Sequence, residues 1–167
     1  MIKIAITGPE STGKTSLALG LAQYFSGKII PEFSRIYLKG KDAYNVEDVL
    51  YMAQEQYKLE KEKRSEHLVI ADTELLVYKI WLWEKYQFCP DWIHSAIQES
   101  DFDFYFLCAA DLPWEDDPLR ENPYDRERLF HLYEEELKNY NKKYQIVKGE
   151  GEERIKPAIS IIEHFLL

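Results

Sequence analysis

The stretch "GPESTGKT", Gly8–Thr15, stands between a short apolar run and a segment with helical periodicity. It fits the pattern G-x-x-x-x-G-K-[ST], and each fixed position has a physical reason. The glycines let the backbone wrap so that its N–H groups converge on phosphate oxygens. The helix that follows presents the positive end of its dipole to the same place. Lys14 supplies an ammonium group for the β- and γ-phosphates, and the Thr15 hydroxyl is a ligand for Mg²⁺. The loop therefore reads as a cradle for a nucleoside triphosphate, with Gly8, Pro9, Glu10, Ser11, Thr12, Gly13, Lys14, Thr15 and Ser16 as its candidate contacts.

Working outward, "IKIAIT" (Ile2–Thr7) before the loop reads as a buried strand. Leu17, Leu21 and Phe25 after it fall at helical spacing, and Gly27 is expected to end that helix. Strands are further expected at "KII" before Pro31, at His67–Thr73, Asp103–Ala110 and Tyr144–Lys148. Helices are expected at Asn45–Arg64, Glu74–Tyr86, Asp91–Glu99, Tyr124–Lys142 and Glu152–Phe165. Strands alternating with helices imply an α/β, three-layer αβα fold of the P-loop NTPase kind, with a central parallel sheet of about five strands. In such sheets ligands sit beyond the C-terminal strand ends. The loop at Gly8, then Glu32, Asp72 and Asp111, all fall there.

The chain has 167 residues and 46% hydrophobic residues, which suits a single globular domain. A formal net charge of −9 argues against a nucleic-acid or membrane-surface binder. It leaves room for an anionic small ligand held by local donors. Cys89 and Cys108 have no metal-ligand or CxxC spacing and read as reduced thiols of a cytoplasmic protein. No run is long enough for a signal peptide or a membrane span. His67, His94, His131 and His164 are scattered and form no metal cluster or triad.

A second set of residues points to an acceptor. Glu32, in "PEFSR", follows the second strand and can take the proton of an attacking hydroxyl. Arg35 can steady a phosphate, or merely pair with Glu32 on the surface. Asp72 ends "LVIAD", a pattern that delivers a carboxylate beside Mg²⁺ or the acceptor; its alternative role is a helix N-cap. The segment from about 111 to 128 is rich in Pro, Asp and Arg and reads as a lid stiffened by Pro113, Pro118 and Pro123. Arg120 can neutralise charge on a transferred phosphoryl group, and Trp114 can stack on an aromatic ligand near Asp117. No N-K-x-D run of a GTPase is found: "NKKY" at Asn141–Tyr144 lacks the Asp.

"GPESTGKTSLA", "PEFSR", "VEDVLYMAQEQ", "LVIADTELL" and "DLPWEDDPLR", in this order, resemble the nicotinamide riboside kinase domain of NadR-type proteins. The resemblance runs from the N-terminus to about Arg128. It implies ATP-dependent phosphorylation of the ribose 5′-hydroxyl of nicotinamide riboside, giving nicotinamide mononucleotide, with Mg²⁺ held by Thr15 and Asp72. It implies Lys14, Glu32, Asp72 and Arg120 as catalytic groups, and Glu32, Arg35, Asp72, Trp114 and Asp117 around the acceptor. The base is Glu32 or Asp72. NadR-type proteins often add an adenylyltransferase domain and sometimes a DNA-binding one. Neither has a motif here, so the expected activity is the kinase step alone. The alternatives are another nucleoside or metabolite kinase of this fold, or an acceptor-independent regulatory ATPase.

Overall fold

The computed structural model describes residues 1–62, 64–117 and 120–165. Pro118, one of the three expected lid prolines, lies outside the described residues. In chain order the elements are β1 (Ile2–Thr7), α1 (Lys14–Phe25), β2 (Lys28–Ile30), α2 (Phe33–Tyr37), α3 (Val46–Lys61) and β3 (Leu68–Asp72). They continue with α4 (Leu75–Tyr86), α5 (Asp91–Gln98), β4 (Phe104–Cys108), α6 (Arg126–Asn139), β5 (Tyr144–Val147) and α7 (Glu152–Phe165).

The five strands form one parallel sheet in the order β2-β3-β1-β4-β5. β1 lies in the middle, pairing with β3 on one side (Ile4 opposite Ile70) and β4 on the other (Ile6 opposite Phe106). Connections leave β1 towards one edge and β3 towards the other half, so the strand order switches next to β1. The loop that follows β1 thus opens into the crevice where such sheets bind ligands.

Alternation along the strands builds two cores. Ile4, Ile6, Leu68, Ile70, Phe106 and Cys108 face α1 and α7, meeting Leu17, Leu21, Ala158 and Ile162. Ala5, Val69, Ala71, Tyr105 and Leu107 face the other way, against Met52, Leu76, Tyr78, Ile93 and Leu129 of α3, α4, α5 and α6. Both sheet faces are covered, which explains the continuous apolar runs of the inner strands. Each fully buried Val, Leu, Ile, Phe or Met side chain in these cores adds roughly 1.5–3 kcal/mol. The three-layer α/β expectation is met.

Local differences have identifiable causes. α1 ends through Ser26, not Gly27: Ser26 takes a left-handed backbone (φ 52°), and Gly27 N–H bonds back to Ala22 O at 2.9 Å. α3 begins at Val46, because Asn45 and Asp48 exchange side-chain and backbone bonds in a capping box. The short α2 escaped sequence reading, since five residues carry no periodic signal. α6 begins at Arg126, two residues after the expected start. Among the described residues, no helix is long and apolar enough to cross a membrane.

Candidate active site

The phosphate-loop backbone needs its glycines. Gly8 sits at φ +133°, and a Cβ there would lie 2.8 Å from Cys108 O. Gly13, the N-cap of α1, sits at φ +76° against Leu112 and Arg154. No side chain caps α1 and no acidic residue occupies its first turn. Its first amides are therefore left for a ligand. Lys14 Nζ lies inside the cup, donating to Gly8 O at 2.9 Å and Pro9 O at 2.7 Å. Thr12 is buried, its hydroxyl donating to Pro9 O at 2.7 Å.

Arg154 holds this loop from behind, a role the sequence did not suggest. Its guanidinium donates to Thr12 O, to Gly149 O and to the Asp111 carboxylate. Gly149 N–H also donates to Asp111. One buried cation thus ties the phosphate loop to the ends of β4 and β5. Because these segments lie far apart in sequence, no local pattern could have marked Arg154.

Two cavities meet at the loop. One, of ≈ 790 Å³, runs along Ser11–Leu17 to Gly151, Glu152 and Arg154 at the start of α7. The other, of ≈ 420 Å³, lies beyond Gly8–Ser11; Val77, Ile80 and Trp81 of α4 and Leu129 and Tyr133 of α6 form its apolar wall, with Glu84 beside them. Ser11, Lys14, Glu32, Arg35 and Arg120 line both. The junction therefore carries three cationic side chains and one carboxylate.

Glu32 accepts from Ser34 Oγ at 2.7 Å and from Arg35 Nε at 2.9 Å, so the surface-pair alternative and the cleft position hold together. Arg35 also reaches Asp117 at 3.2 Å. Asp117 itself lines neither cavity. Arg120 donates to Ser11 Oγ at 3.3 Å and to Glu115 O, while its buried Nε has no protein partner among the described residues.

Asp72 is nearly buried and does not cap α4; Glu74 does, accepting from Leu76 N–H at 2.7 Å and from the Thr7 hydroxyl at 2.9 Å. Burial pushes the Asp72 carboxyl up, the Thr15 hydroxyl opposes this, and the neighbouring Glu32 adds to the rise. Asp72 Oδ1 is buried without a hydrogen-bond partner among the described residues. A carboxylate with an unused oxygen beside the Thr15 hydroxyl fits Mg²⁺, which takes one or two protein oxygens and completes its shell with phosphate and water. Among the described residues no cluster of His, Cys, Asp and Glu offers a fuller metal cage. Asp72 lines neither cavity; its carboxylate lies beside the Thr15 hydroxyl.

Trp114 is the aromatic residue expected at the acceptor. It lines neither cavity; its Nε1 donates to Asp116 at 2.8 Å and the Arg126 guanidinium lies over its ring at 5.7 Å. Like Tyr133 of α6, Trp81 of α4 lines the ≈ 420 Å³ cavity. It is held there by Tyr44, whose hydroxyl accepts from Trp81 Nε1 at 3.1 Å and donates to Glu121 at 2.8 Å. Glu10, expected on the nucleotide, lines the ≈ 420 Å³ cavity and receives the N–H groups of Glu121 and Asn122, both at 3.0 Å. Ser11 accepts Glu115 N–H on its hydroxyl at 3.0 Å and Arg126 on its carbonyl at 2.8 Å. The lid is thereby stitched to the phosphate loop. Cys108 is buried and Cys89 half-buried; burial pushes each thiol up to about 11, so neither is a ready nucleophile.

This fold and loop define a P-loop nucleotide-binding architecture. Residues 3–154 match the model of the AAA domain family (AAA_28), and the chain belongs to that family. None of the curated proteins compared matches the sequence. Among solved structures, NadR protein in complex with NR is similar at TM-score 0.81 and 20% identity, over 98% of this chain and 51% of the other. NadR protein in complex with NAD and AMP-PNP gives 0.77 and 19%, over 98% and 49%. The chain thus spans about half the length of these NadR proteins. Deoxyadenosine kinase from M. mycoides with bound dATP gives 0.71 and 18%, over 98% and 100%. At these identities the likeness is one of fold.

Proposed function

We propose that this chain is a small-molecule kinase that transfers the γ-phosphoryl group of ATP to the ribose 5′-hydroxyl of nicotinamide riboside. The observation that carries the reading is the junction: Lys14, Arg35, Arg120 and Glu32 stand where a triphosphate-sized cleft meets a second, apolar-walled cavity. A hydrolase needs room for only one water there. A second cavity of ≈ 420 Å³ suits a nucleoside. Trp81, with Glu84 and Glu32 nearby, suits a flat heteroaromatic ring bearing positive charge. The likeness to a structure of NadR protein in complex with NR supports the same choice.

In this reading the triphosphate lies with its β- and γ-phosphates over the amides of α1 and the Lys14 ammonium. Thr15 and Asp72 would hold Mg²⁺, which when bound neutralises charge on those phosphates. Glu32, held in place by Ser34 and Arg35, accepts the proton of the 5′-hydroxyl as its oxygen bonds to the γ-phosphorus. The bond from that phosphorus to the bridging oxygen breaks, and ADP leaves. Lys14 and Arg120 offset negative charge on the transferring group. That Glu32 lines both cavities, whereas Asp72 lines neither, supports Glu32 in the base role. The lid, residues 111–128, keeps water from the junction.

A second reading, a kinase for another nucleoside, is favoured by the likeness to the deoxyadenosine kinase fold. ADP release measured with nicotinamide riboside, deoxyadenosine, thymidine or no acceptor separates the readings. We expect release to depend on acceptor and to be fastest with nicotinamide riboside. Preference for another nucleoside selects the second reading. Release at one rate throughout, with no phosphorylated nucleoside, overturns both.

A further inference from the structure

Gln56 of α3 is fully buried, and its amide joins two segments that carry the carboxylates of the site. Phe33 N–H donates to Gln56 Oε1 at 2.9 Å, and Gln56 Nε2 donates to Thr73 O at 3.3 Å. Phe33 directly follows Glu32, and Thr73 directly follows Asp72. The amide orientation follows from chemistry: an N–H can only donate and a carbonyl can only accept.

Each segment relies on Gln56 for one backbone group: the Phe33 N–H and the Thr73 carbonyl. Glu32 is the N-cap of α2 but makes no side-chain cap bond, so the Phe33 amide depends on Gln56. Thr73 has φ +78°, unfavourable for a β-branched residue, and its own hydroxyl is buried without a partner among the described residues. Its amide is tied to Ile6 O at 3.1 Å and its carbonyl to Gln56. The strained turn after Asp72 is thus pinned at both ends, one end to the strand leading into the phosphate loop, the other to Gln56.

We infer that Gln56 is a positioning residue that sets the separation of Glu32 from Asp72, and so of the proton acceptor from the metal-side carboxylate. The inference rests on the kinase reading above. It touches neither substrate pocket: Gln56 lines neither cavity. Its loss therefore affects turnover and metal affinity more than substrate binding.

The test is Gln56→Leu, of similar size but without donor or acceptor, with Gln56→Glu as a second variant that keeps an oxygen for Phe33 N–H. For folded Gln56→Leu we expect kcat to fall on the order of tenfold to a hundredfold, as misplaced reacting groups do. KM for ATP and for nucleoside should stay within about threefold, and Gln56→Glu should recover part of the loss. Mn²⁺ affinity in the presence of AMP-PNP, read by electron paramagnetic resonance, should weaken in Gln56→Leu. A folded variant with wild-type kcat and wild-type Mn²⁺ affinity overturns the inference, as does a change confined to KM. If Gln56→Leu does not fold, Gln56→Glu carries the same arms. Failure of the kinase reading shows separately, as wild-type protein that phosphorylates no nucleoside. The Mn²⁺ arm still decides Gln56 in that case, since it needs no acceptor.

Discussion

At the scale of single residues, the site was readable in proportion to how local its demands are. Gly8, Gly13, Lys14 and Thr15 answer to backbone sterics and phosphate chemistry within eight residues of chain, so the pattern alone exposes them. Trp81 and Trp114 show the opposite case. Trp114 sits in a polar, proline-rich segment, where an aromatic side chain stands out; Trp81 sits in a helix where a core position looks equally apt. Only packing reveals that Trp81 walls the cavity while Trp114 lies under Arg126. Gln56 reaches Thr73 O 17 positions away and Arg154 reaches Thr12 O 142 positions away, so neither pairing leaves a local trace. Among the described residues the Lys14 ammonium bonds to loop carbonyls alone, so its chemistry separates from stability. Lys14→Ala should lower phosphoryl transfer on the order of a hundred- to a thousandfold. Its unfolding midpoint should move by less than about 2 °C, checked by calorimetry beside steady-state kinetics.

At the scale of elements, strands and long helices followed from alternation and 3.6-residue periodicity, while their ends followed from caps. The capping box at Asn45–Asp48 and the left-handed Ser26 each moved a boundary by a residue or two. α3 also carries a cost. Glu60 near its C-terminus is buried, and Oε1 has no partner among the described residues. Burial raises its pKa well above the ordinary value of 4.5, the nearby Glu74 raises it further, and Lys3 and Lys61 oppose the rise. The folded chain then holds a proton that the unfolded chain has lost, so stability falls as pH rises above the unfolded value of 4.5. Replacing Glu60 by Gln removes that loss. We expect Glu60→Gln to raise the unfolding midpoint by about 2–4 °C near pH 8, with the gain shrinking toward about pH 4. Thermal scans at both pH values check this, and a gain of equal size at both would assign it to packing instead.

At the scale of the whole molecule, the sheet order brings the ends of β1, β2, β3 and β4 to one rim, and the lid closes that rim by binding Glu10 and Ser11 of the phosphate loop. Nucleotide binding should therefore tighten a region that already links β1, β4, β5 and the lid. Mg²⁺ and AMP-PNP at about 100 times Kd should stabilise the protein by about 2.7 kcal/mol, a rise of roughly 5–11 °C in midpoint. The rise should be largely lost in Lys14→Ala. The division of labour between the two cavities is most directly tested by a crystal structure with AMP-PNP, Mg²⁺ and nicotinamide riboside bound together. The account predicts the riboside against Trp81, with its 5′-oxygen at about 2.6–3.2 Å from a Glu32 oxygen and facing the γ-phosphate. A riboside bound outside that cavity, or one whose 5′-oxygen points away from Glu32, would contradict it.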